Sequence, residues 1–163
     1  SSLQAMATRR DSDDRTPAGD LGEGSLHGLL GYQLAQASIV TTRAFMRVVG
    51  KPMQLRPVEF TILHLLHQNA DVTTTALARA LAMTGPGVAA WLERLESRGL
   101  LERERSEADR RAQHLRLTRP GAEIAGKALK LLLAADVELL SHLSDGEHRI
   151  LLELLHKVAR ARA

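Results

Sequence analysis

The chain of 163 residues is long enough for one domain of ordinary size and short for an elaborate multidomain enzyme. Hydrophobic residues make up 44% of it but aromatic residues only 2%, so the core must be built from Leu, Ala and Val, which favours helices. The net charge of +3 tilts weakly toward anionic partners, and the lack of cysteine excludes disulfides, thiolate metal sites and cysteine redox chemistry.

The N-terminal region lacks the apolar stretch of a signal peptide, and no apolar run reaches the roughly 18 residues of a membrane span. We therefore expect a soluble, cytoplasmic protein. Residues 1–24 mix charges with Gly and Pro without periodicity, which predicts a disordered tail. We interpret residues 1–5, which precede Met6, as a remnant of cloning.

Residues 25–54 carry apolar side chains at three- and four-residue steps, which predicts a long amphipathic helix. This helix is expected to run from Ser25 and to end at Gly50-Lys51-Pro52, because glycine and proline together signal a stop. Its broad apolar stripe is more than a small core can cover, so we expect it to contribute to a dimer interface.

Residues 120–163 return to helix, with the last helix starting at a capping box formed by Ser144 and Glu147. In residues 129–143 leucine falls on more than one helical face, which indicates burial against a second chain. We therefore interpret 25–54 and 120–163 as the helical dimerisation region of a homodimer. The alternative is a monomer in which the first and last helices pack together.

The middle of the chain, residues 55–119, has the order of a winged helix-turn-helix lobe. A helix from Pro57 to Gln68 is followed by a short threonine-capped helix over residues 73–82 and by a third helix that ends at Gly99. The segments LLERERS and AQHLRLT then predict two strands around a charged connection. We expect a mainly α fold with a small β-hairpin wing, flanked by the N- and C-terminal dimerisation helices.

The third helix opens with Gly85-Pro86-Gly87, which by itself signals a turn or a phosphate-binding loop. A phosphate loop also needs a preceding strand and a Lys at its end, and the sequence has neither. Thr84 is suited to cap a helix, and apolar residues follow at helical spacing. We therefore predict a recognition helix whose buried face is formed by Val88, Leu92 and Leu95.

The segment LERLESRGLLERERSEADRRAQHLRLTRPG resembles the DNA-binding core of MarR-type transcriptional regulators. It contains a Leu-Glu-x-x-Gly-Leu exit from the recognition helix, an Asp-x-Arg wing at Asp109 and Arg111, and a Leu-Thr-x-x-Gly return at Leu117-Thr118 and Gly121. The resemblance implies a homodimeric regulator, expected to be a repressor, that binds a pseudo-palindromic operator in double-stranded DNA.

Double-stranded DNA has a major groove that accepts one helix and a narrower minor groove that suits an Arg at a protruding tip. Arginines 103, 105, 110 and 111 cluster in the hairpin, and the resemblance implies that Arg111 enters the minor groove with Asp109 as its organiser. The alternative is an ordinary charged hairpin. The predicted DNA contacts are Thr74, Thr75, Thr84, Gly85, Pro86, Gly87, Ala89, Ala90, Arg94, Arg105, Asp109, Arg110 and Arg111.

Arg94 and Arg98 in the recognition helix are spaced to reach phosphates or a base edge. Their alternative is a surface ion pair with a nearby glutamate, namely Glu93, Glu96 or Glu102. The first two turns depart from the family, which usually places Ser, Thr, Gln or Arg there. Their Pro, Gly and Ala side chains donate no hydrogen bonds to bases, so we expect a larger share of indirect and wing-mediated readout. Trp91 is predicted to pack in the core.

Regulators of this family commonly respond to phenols or aromatic acids bound between the dimer helices and the DNA-binding lobe. By that resemblance, polar side chains in an aliphatic cleft would orient such a ligand, and Arg43 suits a carboxylate best. Solvent exposure or ion pairing between helices is the alternative for each residue. The predicted ligand-binding residues are His27, Tyr32, Gln36, Arg43 and His64.

Enzymatic and metal-dependent functions find little support. The seven histidines are scattered, and no spacing supports a Ser-His-acid triad. His64 and His67 form an i, i+3 pair, but two ligands do not make a metal site, so we predict no catalysis, no metal and no cofactor. Two functions remain: a ligand-responsive homodimeric regulator, and a constitutive or architectural winged-helix module that binds DNA or protein without an effector.

Overall fold

The computed structural model describes residues 15–105 and 113–162. The chain divides into two compact units with the boundary between Arg43 and Ala44. Within the described ranges most elements are helices, and the named strands form one small antiparallel sheet. The predicted mainly α fold with a small β wing is confirmed.

The N-terminal unit contains a tight turn in which Arg15 and Gly22 form an isolated antiparallel bridge. A 3-10 helix, Gly24–Gly28, follows, and Leu29 leaves helical geometry with an extended backbone. Helix α1 then spans Leu30–Phe45, across the boundary between the units. The prediction of one uninterrupted helix from Ser25 was therefore wrong, because the break at position 29 separates two helical segments.

The chain stays helical beyond the predicted stop at Gly50-Lys51-Pro52. A π-helical turn, Met46–Gly50, leads into the short helix α2, Lys51–Met53, and helical geometry ends at Gln54, whose φ is 53°. The predicted end was wrong because Pro52 lies in the first turn of α2, where a proline needs no hydrogen-bond partner for its nitrogen.

Three helices of the second unit build the helix-turn-helix. Helix α3 spans Pro57–Gln68, α4 spans Thr74–Leu81 and α5 spans Gly85–Ser97. These bounds confirm the three predicted helices of the lobe. Large side chains that are fully buried join these helices to the sheet and the preceding turn, and they include Val49, Leu55, Ile62, Leu63, Leu77, Val88, Leu92, Leu95, Leu101 and Leu115.

The sheet has three strands in the order β1-β3-β2, one more than the predicted ribbon. Strands β2, Leu101–Arg105, and β3, Gln113–Leu117, are antiparallel with Leu101 opposite Leu117. Strand β1 is only Val72–Thr73 and pairs with the middle of β3. Two residues are too few to show alternation in a sequence, and the second also caps α4, so β1 was missed.

Two helices complete the chain, α6, Arg119–Leu139, and α7, Asp145–Ala159. The predicted capping box at the start of α7 is confirmed, since Ser144 Oγ accepts the Glu147 N–H at 3.3 Å and Glu147 Oε2 accepts the Ser144 N–H at 2.8 Å. Among the helices that the structure describes, none has the length and apolarity needed to cross a membrane.

Candidate nucleic-acid interface

The recognition helix begins at the predicted residue. Thr84 precedes α5 with an extended backbone, and its Oγ1 accepts a hydrogen bond from the Gly87 N–H at 3.2 Å. Pro86 lies in the first turn, where an amide would have no helical partner. Gly85 and Pro86 are exposed. The first turn therefore presents backbone and small side chains to any ligand at this end of the helix.

The opposite face of α5 fixes the helix to the core. Val88, Leu92 and Leu95 are completely buried, as predicted. Trp91 is half-buried and packs against the same core, which confirms its predicted packing role. Ala89 is half-buried and Ala90 is exposed on the other side of the helix. The surface of the first two turns is consequently almost free of hydrogen-bonding side chains, and the DNA contacts assigned to it stay predictions.

The exit from α5 explains the Leu-Glu-x-x-Gly-Leu motif. The Leu100 N–H donates to Leu95 O at 3.0 Å and the Gly99 N–H donates to Glu96 O at 2.8 Å, the two bonds of a Schellman turn. Gly99 has φ of 67°, a left-handed conformation that glycine adopts without a steric penalty. The motif therefore ends the recognition helix and starts β2 within two residues.

Arg98 contacts backbone carbonyls rather than one of the glutamates suggested as its ion-pair partner. Its Nη1 donates to Gln54 O at 2.8 Å and its Nη2 donates to Met53 O at 3.0 Å. These carbonyls lie at the end of α2, where helical partners run out. Arg98 therefore caps another helix, and among the described residues its suggested ion pair with Glu93, Glu96 or Glu102 is not seen. Its contact with a phosphate stays a prediction.

Arg94 forms an ion pair, but with a glutamate that the sequence did not suggest. Its Nε lies 2.7 Å from Glu59 Oε1, and the Glu59 side chain is fully buried. The second carboxylate oxygen of Glu59 accepts the Arg56 N–H at 2.8 Å at the start of α3. A Glu three residues after an N-cap is a signal for that backbone bond. The pairing with Arg94 depends on the packing of α3 against α5 and carried no sequence signal.

The wing strands carry two further ion pairs. Arg103 Nε lies 3.0 Å from Glu96 Oε2, and Arg116 Nε lies 3.1 Å from Glu104 Oε2. Arg105 is the last residue of β2. The residues of the Asp-x-Arg wing, 109–111, lie outside the described residues, so the assignments of Asp109, Arg110 and Arg111 stay predictions.

The predicted contacts at the start of α4 lie next to its cap. Thr73 Oγ1 accepts the Ala76 N–H at 3.2 Å, which leaves Thr74 and Thr75 as the first helical residues. Thr75 is exposed and Thr74 is half-buried. Their hydroxyl groups are not needed to cap the helix, and their contact with DNA stays a prediction.

The predicted ligand-binding residues are divided between the two units, with His64 in the second and the others in the first. In the first unit His27 and Tyr32 meet Glu23, a buried carboxylate that the prediction missed. Tyr32 Oη donates to Glu23 Oε1 at 2.9 Å, and His27 Nδ1 lies 2.7 Å from Glu23 Oε2. Gln36 is half-buried and Arg43 is exposed.

The Glu23 cluster alters the titration of its members. The hydrogen bond with His27 is the main cause that lowers the pKa of Glu23. Desolvation raises the pKa of Tyr32 because it disfavours the charged phenolate, and the hydrogen bond to Glu23 raises it further because it stabilises the protonated phenol. The cluster therefore holds a carboxylate anion and a neutral tyrosine side by side.

His64 lies on α3 beside two aromatic rings. Its ring stacks on Phe60 at 5.8 Å between centroids, and the His67 ring lies 6.1 Å away. His64 Nδ1 is buried and has no hydrogen-bond partner in the described part of the chain. Across residues 15–105 and 113–162, no three His, Cys, Asp or Glu side chains are grouped as metal ligands.

Comparison with known proteins agrees with this geometry. The MarR family model matches residues 53–112. A transcriptional regulatory protein for the hcr operon of Thauera aromatica is 27% identical over 155 residues, covering 95% of this chain and 93% of that protein. The transcriptional repressor CouR, bound to a 23-mer DNA duplex, is 34% identical with a TM-score of 0.80, covering 86% of this chain and 99% of that one. A mutant of MarR from E. coli, complexed with operator DNA, is 26% identical with a TM-score of 0.71, covering 81% and 93%.

Proposed function

The chain belongs to the MarR family of transcriptional regulators, and from that premise we propose that it is a homodimeric repressor that binds a specific double-stranded operator. A small aromatic acid or phenol would modulate its affinity for DNA. The DNA-binding lobe is residues 55–119, and residues 25–54 and 120–163 form the dimer. The whole regulator would work in the cytoplasm without catalysis.

The main support for the proposal is the way in which α5 packs against the core. Its apolar side is completely buried through Val88, Leu92 and Leu95, while Gly85, Pro86 and Ala90 face outward at its capped N-terminus. A helix held by one face, with its N-terminus outward, fits a major groove. The DNA-bound state of CouR, a repressor of similar fold, supports both the partner and the sign of regulation.

The mode of DNA readout is expected to be unusual for the family. The outward residues of the first two turns are glycine, proline and alanine, which offer backbone amides to phosphates and methyl groups to thymines. Specific hydrogen bonds would have to come from elsewhere. We assign them to the wing, with Arg105, Arg110 and Arg111 as the cations and Asp109 as the residue that holds the tip in place.

The dimer is supported by large apolar side chains that remain exposed in the isolated chain. In α7 these side chains recur along nearly its whole length, and a surface of this kind is expected to be covered by a partner. The exposed large hydrophobic residues of α7 are Ile150, Leu151, Leu152, Leu154, Leu155 and Val158. A two-fold dimer would place two copies of α5 in half-sites about one helical turn of DNA apart.

The effector proposal rests on the family resemblance and on the Glu23 cluster. Tyr32 and His27 are already held by Glu23, and exposed leucines surround this segment at Leu26, Leu29 and Leu30. Polar groups fixed in an apolar surface are typical of small-molecule sites. Because Glu23 is an anion, a phenol hydroxyl is expected near it and a ligand carboxylate nearer Arg43.

A mobility-shift assay tests the DNA-binding proposal. The duplex is the DNA upstream of the chain's own gene, and the control is a duplex of the same length and base composition in random order. We expect a shift only with the upstream DNA and a mass of two protomers by light scattering. Equal shifts with both duplexes would instead favour an architectural module.

The effector is tested separately by thermal unfolding with a panel of phenols, aromatic acids and their coenzyme A esters. At a ligand concentration 100 times its Kd, one site adds about 2.7 kcal/mol of stability. Tyr32→Phe, which removes only the hydroxyl that reaches Glu23, is expected to reduce the shift. A flat panel would count against a ligand-responsive regulator and leave the DNA-binding proposal in place.

A further inference from the structure

A buried carboxylate lies in the DNA-binding lobe, away from the outward surface of α5. Glu59 on α3 is completely buried, whereas carboxylates are rarely found in a core unless they are paired. A buried ion pair is often no more stabilising than a well-packed apolar pair of the same volume. The presence of Glu59 is therefore better explained by the groups that it positions than by a contribution to stability.

Glu59 connects two helices through its two oxygens. Oε2 accepts the Arg56 N–H at 2.8 Å and so belongs to the start of α3. Oε1 lies 2.7 Å from Arg94 Nε but accepts no hydrogen bond within the described residues. Its charge is therefore balanced by the cation on α5. Glu59 is fixed by burial, so it offers the Arg94 guanidinium a stationary negative charge.

Arg94 is suited to a second partner. Its side chain is 46% exposed although its Nε faces the buried carboxylate. In the described part of the chain the two terminal amino groups of Arg94 have no partner. By contrast, Arg98 donates to two backbone carbonyls, and Arg103 pairs with Glu96. A guanidinium has five donors in a rigid plane, so one edge can face Glu59 while the other faces an anion.

The position of Arg94 on α5 points to the same surface as the helix N-terminus. Gly87, Ala90 and Arg94 follow each other at three- and four-residue steps, which puts them on one side of the helix. This side lacks other hydrogen-bonding side chains in its first two turns. Arg94 is therefore the cation in α5 that is best placed to contact the duplex if α5 lies in the groove.

We propose that Glu59 is a positioning residue for DNA binding: it holds Arg94 by its Nε edge so that the terminal amino groups face a backbone phosphate. The inference rests on the proposed function and deepens it. Glu59 itself never touches DNA. A fixed guanidinium loses less rotamer freedom when the duplex binds, so its contact is stronger than that of a free surface arginine.

Glu59→Gln separates positioning from simple charge and from folding. The glutamine oxygen still accepts the Arg56 N–H, but the neutral amide no longer attracts Arg94. The substitution also removes a negative charge and raises the net charge of +3 by one. Electrostatics alone would then tighten DNA binding. A positioning role for Glu59 instead predicts weaker DNA binding, because Arg94 is no longer held.

The experiment measures operator affinity across a salt series for wild type, Glu59→Gln, Arg94→Ala and the double variant. Losing one charge-assisted hydrogen bond is expected to weaken binding about tenfold for Arg94→Ala, and somewhat less for Glu59→Gln. Each is expected to lower the salt slope by about 0.9 per protomer. The double variant should be no weaker than Arg94→Ala, because both changes remove the same contact.

Two controls complete the test. Arg119→Ala removes an equal charge from an exposed i, i+4 pair with Glu123 on α6 and should change affinity less than the interface variants. Arg94→Lys keeps the charge beside Glu59 but lacks the planar fork that faces both Glu59 and a phosphate, so it should bind DNA more weakly than wild type. This variant tests the inference even if Glu59→Gln does not fold.

The outcomes separate the inference from the function on which it rests. A wild type that binds no duplex would overturn both. A wild type that binds its operator, with folded Glu59→Gln equal or tighter, would overturn the positioning role alone. Additive losses in the double variant, or full affinity in Arg94→Lys, would do the same. Lower thermal stability of Glu59→Gln with unchanged affinity per folded molecule would show that the pair is structural only.

Discussion

Replacing Gly121 with alanine tests the junction between the exit of the recognition helix and α6. Gly121 lies in the first turn of α6 against the backbone of Leu100. A Cβ at this position would overlap the Leu100 carbonyl oxygen and come within 2.9 Å of its carbonyl carbon. The same oxygen accepts the Thr118 N–H at 3.2 Å, so it is held in place. Because the obstacle is backbone, no side-chain rotation relieves it.

Two opposing effects determine how much Gly121→Ala changes the free energy of unfolding. Alanine recovers about 0.5–1 kcal/mol that glycine costs in a helix. Overpacking against atoms that cannot move costs typically about 1–3 kcal/mol, and occasionally more. We place Gly121→Ala at the upper end of that cost. After the helical gain is subtracted, we expect the free energy of unfolding to fall by about 2 kcal/mol. For a chain of this size such a loss lowers Tm by about 4–8 °C.

The matched control for this substitution is Gly126→Ala. Gly126 belongs to the same helix, and nothing lies within 4 Å of a Cβ built there. It should therefore be neutral or stabilising by up to about 1 kcal/mol. Both variants are compared by urea denaturation and thermal melting at one protein concentration, because association would change the apparent stability. A Gly121→Ala variant as stable as wild type would refute the close packing of Gly121 against the Leu100 backbone.

Three further predictions concern the caps and the wing. Thr84→Ala removes the acceptor of the Gly87 N–H and should cost about 1 kcal/mol in urea denaturation, with Thr84→Ser close to wild type. The Ser144 N–H and hydroxyl lower the pKa of Glu147, so the stability that this carboxylate contributes is present above its ordinary pKa and lost as pH falls through the lowered value. Ser144→Ala should flatten that acid dependence in Tm-versus-pH curves, and an unchanged curve would contradict it. Arg111→Ala should weaken operator binding and reduce the salt slope, whereas an unchanged titration would rule out its minor-groove role.

The parts of the fold that the sequence predicted are those with local signals. Thr84 and Ser144 are caps that act within three residues, and Gly99 ends a helix by its own conformation. The buried side of α5 follows from helical spacing alone. The π turn at Met46–Gly50 was missed because apolar spacing does not distinguish a π-helical turn from an α-helical one. Strand β1 was missed because Val72–Thr73 is a strand only by pairing with β3.

The site was predicted less completely, and the two main omissions are both acids. Glu23 and Glu59 are buried, and the cationic or ionisable side chains that they meet, His27 and Arg94, lie four or more residues away. DNA attracts cations and small polar groups, so a carboxylate that acts on DNA only through a cation gives no such signal in the sequence. Arg98 is a cation whose partners were missed. Its spacing suggested a contact with a DNA phosphate, and in the structure its guanidinium donates to the carbonyls of Met53 and Gln54.

The proposed regulator recognises duplex DNA specifically although its recognition helix carries few base-reading side chains. The most direct measurement is the ratio of equilibrium affinities for the upstream operator and a shuffled duplex at the same salt concentration. We expect a ratio of about 10³ or more, as for specific regulators. Equal affinities that fall together with rising salt would contradict it, because the chain would then bind only the phosphate backbone.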